Sequence, residues 1–163
     1  MNYSKLLDSI LNEMDAFNPP KSLLQICESL SQNANSFDWV GFYFMNSEKN
    51  TLHLGPYIGE KTDHVEIPYG RGICGQVANS GNTYIAEDIN SESNYIACSI
   101  HVKSEIVVPI YHGEKLVAQL DIDSHKSNAF GVEEKDFVEN LCSEIGRIFG
   151  ESLEYKNFKY HFE

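Results

Sequence analysis

A chain of 163 residues with 42% apolar residues is long and greasy enough for one folded domain, which argues against a disordered polymer. Twelve Lys and Arg against 24 Asp and Glu leave a net charge of −12, which argues against nucleic acid and anionic membrane surfaces as partners. No apolar run approaches the roughly 20 residues that cross a bilayer, and Met1-Asn2-Tyr3-Ser4-Lys5-Leu6-Leu7-Asp8 lacks the regions of a signal peptide. Cytoplasmic residence is the expectation, so the four cysteines (27, 74, 98 and 142) are expected as thiols at rest. None falls in a C-x-x-C spacing and the six histidines are scattered, so no metal site is expected.

Leu6, Leu7, Ile10, Leu11 and Met14 recur at helical spacing and predict a helix over 3–15, ended by Asn18-Pro19-Pro20. Leu23, Leu24, Ile26, Cys27 and Leu30 predict a second helix over 20–33, with Cys27 as a core residue. Trp39 to Met45 reads as a strand, and Thr51 to Tyr57 returns as its hairpin partner across Ser47-Glu48-Lys49-Asn50. His64 to Pro68 is a shorter strand. Gly70 and Gly72 open a tight turn before a short helix from Ile73 to Ala78. Thr83 to Asp88 is another strand, followed by a polar loop through Asn94. Ser104–His112 and Leu116–Asp123 form a second hairpin across Gly113-Glu114, and a helix from Glu133 to Phe149 carries Cys142 on its apolar stripe. Hairpins between terminal helices make an α+β domain. One domain over 1–163 is expected, its core at 20–150 and a Tyr- and Phe-rich tail at 151–163.

Asp121 and Asp123 are two apart on a strand and share a face, with Leu120 and Ile122 turned to the other side. Mutual repulsion raises the pKa of one of such a pair. The pair suits an ammonium ligand, or proton donation to an oxygen; Glu105, on the paired strand, is in reach of the same cavity. The alternative is a solvated strand face. Cys74 falls in the first turn of a helix, where the helix dipole and Arg71 favour a thiolate. Cys98 lies in a loop, open to a ligand. For either cysteine alone, an incidental loop thiol is the competing reading. Trp39 and Tyr43 share a strand face, as a pocket wall or as simple core. His64 is a pH-sensitive group or a strand-surface histidine.

Six motifs occur in one order: Trp39-Val40-Gly41-Phe42-Tyr43; Leu54-Gly55-Pro56-Tyr57; Ile67-Pro68-Tyr69-Gly70-Arg71-Gly72-Ile73-Cys74-Gly75; Ile96-Ala97-Cys98; Ser104-Glu105-Ile106-Val107-Val108-Pro109; and Leu120-Asp121-Ile122-Asp123-Ser124. Over residues 20–150 the chain thereby resembles the free methionine-(R)-sulfoxide reductases, small GAF-domain enzymes. The resemblance implies a GAF-like fold, a six-stranded antiparallel sheet flanked by N-terminal and C-terminal helices. It implies reduction of free methionine-(R)-sulfoxide without a cofactor, with thioredoxin or another thiol as reductant. Cys98 matches the catalytic cysteine. Trp39, Tyr43, Glu105, Asp121 and Asp123 match the substrate-binding residues, and Asp121 and Asp123 double as candidate acid catalysts. Related GAF proteins often form a homodimer.

The chain departs from the family pattern at two positions. An upstream cysteine that serves as a resolving thiol falls on His64, and the acid that often follows the catalytic cysteine is Ser99. Resolution then falls to Cys74 or to a small external thiol, or efficient turnover has been lost. The competing classes are a GAF module that senses a small ligand and a redox switch built on the same cysteines.

Overall fold

The structure is a computed structural model and describes residues 1–96 and 99–157. Helix α1 spans Tyr3–Glu13 and helix α2 spans Pro19–Asn33, each opened by an asparagine whose side chain accepts a backbone N–H of its first turn (Asn2 from Lys5, Asn18 from Lys21). Pro19 stands at the first position of α2, where its missing N–H costs nothing. Helix α1 ends two residues short of the expected Asp15, because Asp15 enters a turn tied by Ser22 and accepts the Phe17 N–H.

Strands β1 (Trp39–Asn46), β2 (Thr51–Ile58), β3 (Glu66–Pro68), β4 (Tyr84–Ala86), β5 (Ser104–His112) and β6 (Lys115–Ser124) form one antiparallel sheet in the order β3-β2-β1-β6-β5-β4. Helix α3 (Gly72–Ser80) lies between β3 and β4, and α4 (Val132–Leu153) follows β6. The six-stranded sheet and terminal helices agree with the expected GAF-like α+β class.

Three further boundaries differ by more than a residue or two, or for an identifiable reason. His64 and Val65 precede β3, because Thr62 Oγ1 accepts the His64 N–H and the Val65 N–H folds back on Asp63. Strand β4 is three residues, since the Thr83 side chain donates to Glu139 on α4 and Asp88 caps a single 3₁₀ turn at Ile89–Ser91. Helix α4 runs four residues past Phe149, with Leu153 fully buried, and Glu154 then pairs with Lys115 at 2.9 Å. The beginning of the expected tail is thus fixed to the domain; residues 158–163 of it lie outside the described residues.

Strand alternation divides the molecule in two. Val40, Phe42, Phe44, Ile106, Val108, Ile110, Ala118, Leu120 and Ile122 face α1, α2 and α4 and make the larger core. Cys27 and Cys142 belong to it, and burial pushes both thiols far above their usual pKa, so they are inert packing residues as expected. Trp39, Tyr43, Met45 and Val107 face the other way, under α3 and its adjoining loops, in a second cluster that includes Cys74. No helix among the described residues is long and apolar enough to cross a membrane.

Candidate functional site

The site is written in the register of three strands. Trp39 of β1 pairs with Asp123 of β6, which pairs with Glu105 of β5. In the next row Gly41 pairs with Asp121, which pairs with Val107; in the row after that Tyr43 pairs with Gln119. Directly opposed residues share a face. Glu105, Asp121, Asp123 and Gln119 therefore stand on the face opposite the large core, beside the two aromatic rings. All four are buried: Glu105 is 6% exposed, Asp121 and Asp123 2% each, and Gln119 not at all. This overturns the solvated strand face as a reading of the aspartates.

Helix α3 covers them. Gly70 (φ +85°) and Gly72 (φ +66°) take left-handed backbone that other residues resist, and turn the chain sharply into the helix. A side chain at Gly72 would also collide with Ile96. Asn94 clamps the turn: it accepts the Gly72 N–H at 3.0 Å and donates to the carbonyls of Gly70 and Gly72. Cys74 then sits in the first turn, as expected, but it is buried and its thiol donates to Asp121 Oδ2 at 3.3 Å. Gln119 Nε2 donates to the Cys74 carbonyl at 2.9 Å and ties the helix to β6. Arg71 is exposed.

All three acids are held above the usual carboxyl range. Burial, then the charges of Asp121 and Asp123, hold Glu105 well above the usual carboxyl range. Burial and the Asp121 charge do the same to Asp123. Burial pushes Asp121 up to about 6, against the opposing pull of hydrogen bonds from Glu105 and Cys74. The cluster thus goes further than the sequence reading, in which one acid of the Asp pair is raised: here all three are. Asp121 Oδ1 is buried and accepts from no donor among the described residues. Among the described residues, Cys74 Sγ, a Glu105 oxygen and an Asp121 oxygen form the set suited to a metal ion, all within 4.8 Å of one another.

The aromatic pair does structural work at the other edge. The Trp39 ring stacks on Tyr57 with centroids 5.4 Å apart and lies 6.4 Å from Tyr43. Trp39 Nε1 donates to the Glu60 carbonyl at 3.1 Å, and the Tyr43 hydroxyl donates to the His64 carbonyl at 2.9 Å. Both rings therefore hold down the β2–β3 loop that carries His64, which lies in that loop rather than on a strand surface. Gly41 makes room for this, because a side chain there would meet the Trp39 ring and, at 2.8 Å, Tyr57 Cβ. Gly41→Ala is expected to destabilise the protein by about 1–3 kcal/mol through overpacking. Trp39 is the sole tryptophan, so a shifted emission maximum in the folded variant reports its displacement directly.

A small cavity of about 10 Å³ opens between Trp39, Glu60, Thr62, Ser99 and Asp123. A larger groove of about 770 Å³, lined by Gly81, Tyr111, Glu139 and Arg147 among others, holds none of the expected site residues. Cys98 lies outside the described residues. Its flanking segments border the site: Ile96 packs on Gly72, and Ser99 lines the cavity with Asp123. Gln119 and Asn94 were not singled out from sequence. Gln119 continues the Asp121–Asp123 alternation by one step, which is the signal that places it on the same face.

Comparison with known proteins agrees with this arrangement. A family model described as GAF domain matches residues 20–149. The free methionine-R-sulfoxide reductase of Saccharomyces cerevisiae is 35% identical over 149 residues, covering 90% of this chain and 81% of that protein. The structure of the reduced form of fRMsr of Staphylococcus aureus superposes with a TM-score of 0.82 at 32% identity, over 90% of this chain and 94% of that one. The free methionine-R-sulfoxide reductase of Neisseria meningitidis, solved in complex with its substrate, gives a TM-score of 0.80 at 29% identity, over 92% of this chain and 87% of that one. A buried acid cluster beside stacked aromatic rings, on a sheet with this strand order and these relatives, places the chain in the free methionine-R-sulfoxide reductase family of GAF-domain proteins.

Proposed function

We propose that this protein reduces free methionine-(R)-sulfoxide to methionine with Cys98 as nucleophile. The observation that carries the reading is the Glu105–Asp121–Asp123 cluster, buried beside Trp39 and lacking any Lys or Arg ion pair among the described residues. Such a cluster is a costly feature in the absence of a cation and a strong one in its presence. A free amino acid brings an ammonium group; a methionine inside a peptide does not. Selectivity for the free form follows, since a peptide substrate leaves the acids unpaired.

In the proposed cycle the carboxylates hold the ammonium group and Trp39 packs on the methyl end. Asp123, which lines the cavity and holds its proton strongly, donates to the sulfoxide oxygen. The Cys98 sulfur attacks the substrate sulfur, the oxygen passes to Cys98, and methionine leaves. The substrate gains two electrons and Cys98 becomes a sulfenic acid. A second thiol displaces its hydroxyl as water and forms a disulfide. Two thiols of a thioredoxin-type reductant then return both cysteines to the reduced state.

Cys74 is the proposed resolving thiol, and Asp121 the acceptor of its proton, from the 3.3 Å contact. Cys74→Ser is expected to release one methionine per enzyme as fast as the parent and then to recycle at least about 10-fold more slowly with thioredoxin. Unchanged steady-state turnover in that variant would assign resolution to an external thiol.

The deciding experiment is an NADPH-coupled thioredoxin assay with free methionine-(R)-sulfoxide, its (S) epimer and the N-acetylated (R) form. Turnover of the free (R) form alone is expected. Turnover of the N-acetylated form at a similar rate would remove the acid–ammonium logic. Silence with thioredoxin and also with dithiothreitol would leave a ligand-binding GAF module.

A further inference from the structure

We propose that Cys74, Glu105 and Asp121 form a binding site for a thiophilic divalent cation of the Zn²⁺ type, and that the bound cation shuts the reductase site. The inhibitory half rests on the reductase reading above; the binding half stands without it.

Three donors of the right kind converge. The Cys74 sulfur and one oxygen each from Glu105 and Asp121 lie within 4.8 Å of one another, and all three residues are buried. A tetrahedral zinc ion with Zn–S about 2.3 Å and Zn–O about 2.1 Å separates its ligand atoms by about 3.6 Å. The Cys74–Asp121 separation is 3.3 Å, so that pair already stands near ligand spacing. From a separation of at most 4.8 Å, the third donor closes to ligand spacing by a movement of roughly 1.2 Å or less.

A second observation points to a cation rather than to an acidic patch. Asp121 Oδ1 is buried and accepts from no fixed donor among the described residues. The Gln119 amide oxygen, on the same strand face, is likewise buried with no donor among the described residues. No Lys or Arg pairs with these acids there, and the net charge of −12 favours cations throughout.

The donor set selects the metal. One thiolate and two carboxylates leave a fourth tetrahedral position for water, which suits Zn²⁺, Co²⁺ or Cd²⁺. Mg²⁺ and Ca²⁺ demand six or more oxygens and gain nothing from sulfur. Binding changes no oxidation state: the Cys74 S–H bond breaks, an S–metal bond forms, and the carboxyls release the protons they hold. The cation then occupies the seat proposed for the substrate ammonium and silences the proposed resolving thiol.

Reduced, metal-free protein titrated with Co²⁺ gives the test. A sulfur-to-cobalt charge-transfer band saturating at one equivalent is expected in the parent and in Cys98→Ser. The band is expected to vanish in Cys74→Ser and to need at least 10-fold more Co²⁺ in Glu105→Gln, with circular dichroism confirming that each variant folds. Zn²⁺ is expected to displace Co²⁺, and Mg²⁺ is not. No band in the parent, a band retained in Cys74→Ser, or a band lost in Cys98→Ser would each overturn the assignment. Should Cys74→Ser fail to fold, the Glu105→Gln and Cys98→Ser titrations decide. Zn²⁺ is further expected to inhibit turnover, reversibly by chelator. A cobalt band in a protein with no reductase activity would sustain the site and remove only its inhibitory role; an active enzyme indifferent to saturating Zn²⁺ would remove that role as well.

Discussion

Cys98→Ser is expected to lower reductase turnover by on the order of 10³-fold or more while leaving methionine-(R)-sulfoxide binding intact. The proposed chemistry needs a sulfur that can take up the substrate's oxygen and pass it on as water; a serine hydroxyl supplies no such electrons. The clean measurement is a single turnover without reductant. The parent should release one methionine per enzyme, Cys74→Ser should do the same, and Cys98→Ser should release none. Binding, followed by quenching of the lone tryptophan next to Asp123, should survive in Cys98→Ser. A full methionine burst from Cys98→Ser would move the nucleophile elsewhere, and Cys74 is the remaining thiol on the site face among the described residues.

Asp123→Asn is expected to reduce kcat/KM by about 10²–10⁴-fold, the range for loss of a positioned general acid. The same substitution should change how stability depends on pH. The folded state holds the protons of Glu105, Asp121 and Asp123 more tightly than the unfolded chain does. For acids raised in this way, stability is fully present below the unfolded carboxyl range and is lost as pH rises through the folded value. For Asp121 the window runs from its ordinary 3.8 up through about 6; Glu105 and Asp123 extend the loss upward. The substrate-free parent should therefore melt at higher temperature near pH 5 than near pH 8. Asp123→Asn should flatten that slope, since an amide never charges. Saturating substrate should flatten it too, by neutralising the acids with its ammonium group. An equal melting temperature at both pH values in the parent would mean that the cluster does not hold its protons.

Helices α1, α2 and α4 were legible because an apolar stripe at 3.6-residue spacing is a local property. The same holds for β1, β5 and β6, where alternation named the partners correctly: Leu120 and Ile122 are core, and Asp121 and Asp123 share the opposite face. Trp39 and Tyr43 share a face for the same reason. The short elements were less legible. Strands β3 and β4 have three residues each, and side chains from elsewhere (Thr62, Glu139 and the cap at Asp88) set where they begin and end.

What covers the acid face belongs to tertiary structure alone. A period of two tells which residues point together; it does not tell whether water or another segment lies above them. Asp121 becomes a buried acid because α3 returns over β6, bringing Cys74 to it across 47 residues of sequence. Asn94 and Gln119 fix that return through contacts 22 and 45 residues long, so their roles leave no local trace. Composition, periodicity and motif order determined the fold class, the face of each strand and the family. The long-range closure of α3 on the sheet decided that the acids are buried, that burial holds all three above the usual carboxyl range, and that a thiol lies beside them, because burial is a property of chain segments brought together and of no one segment by itself.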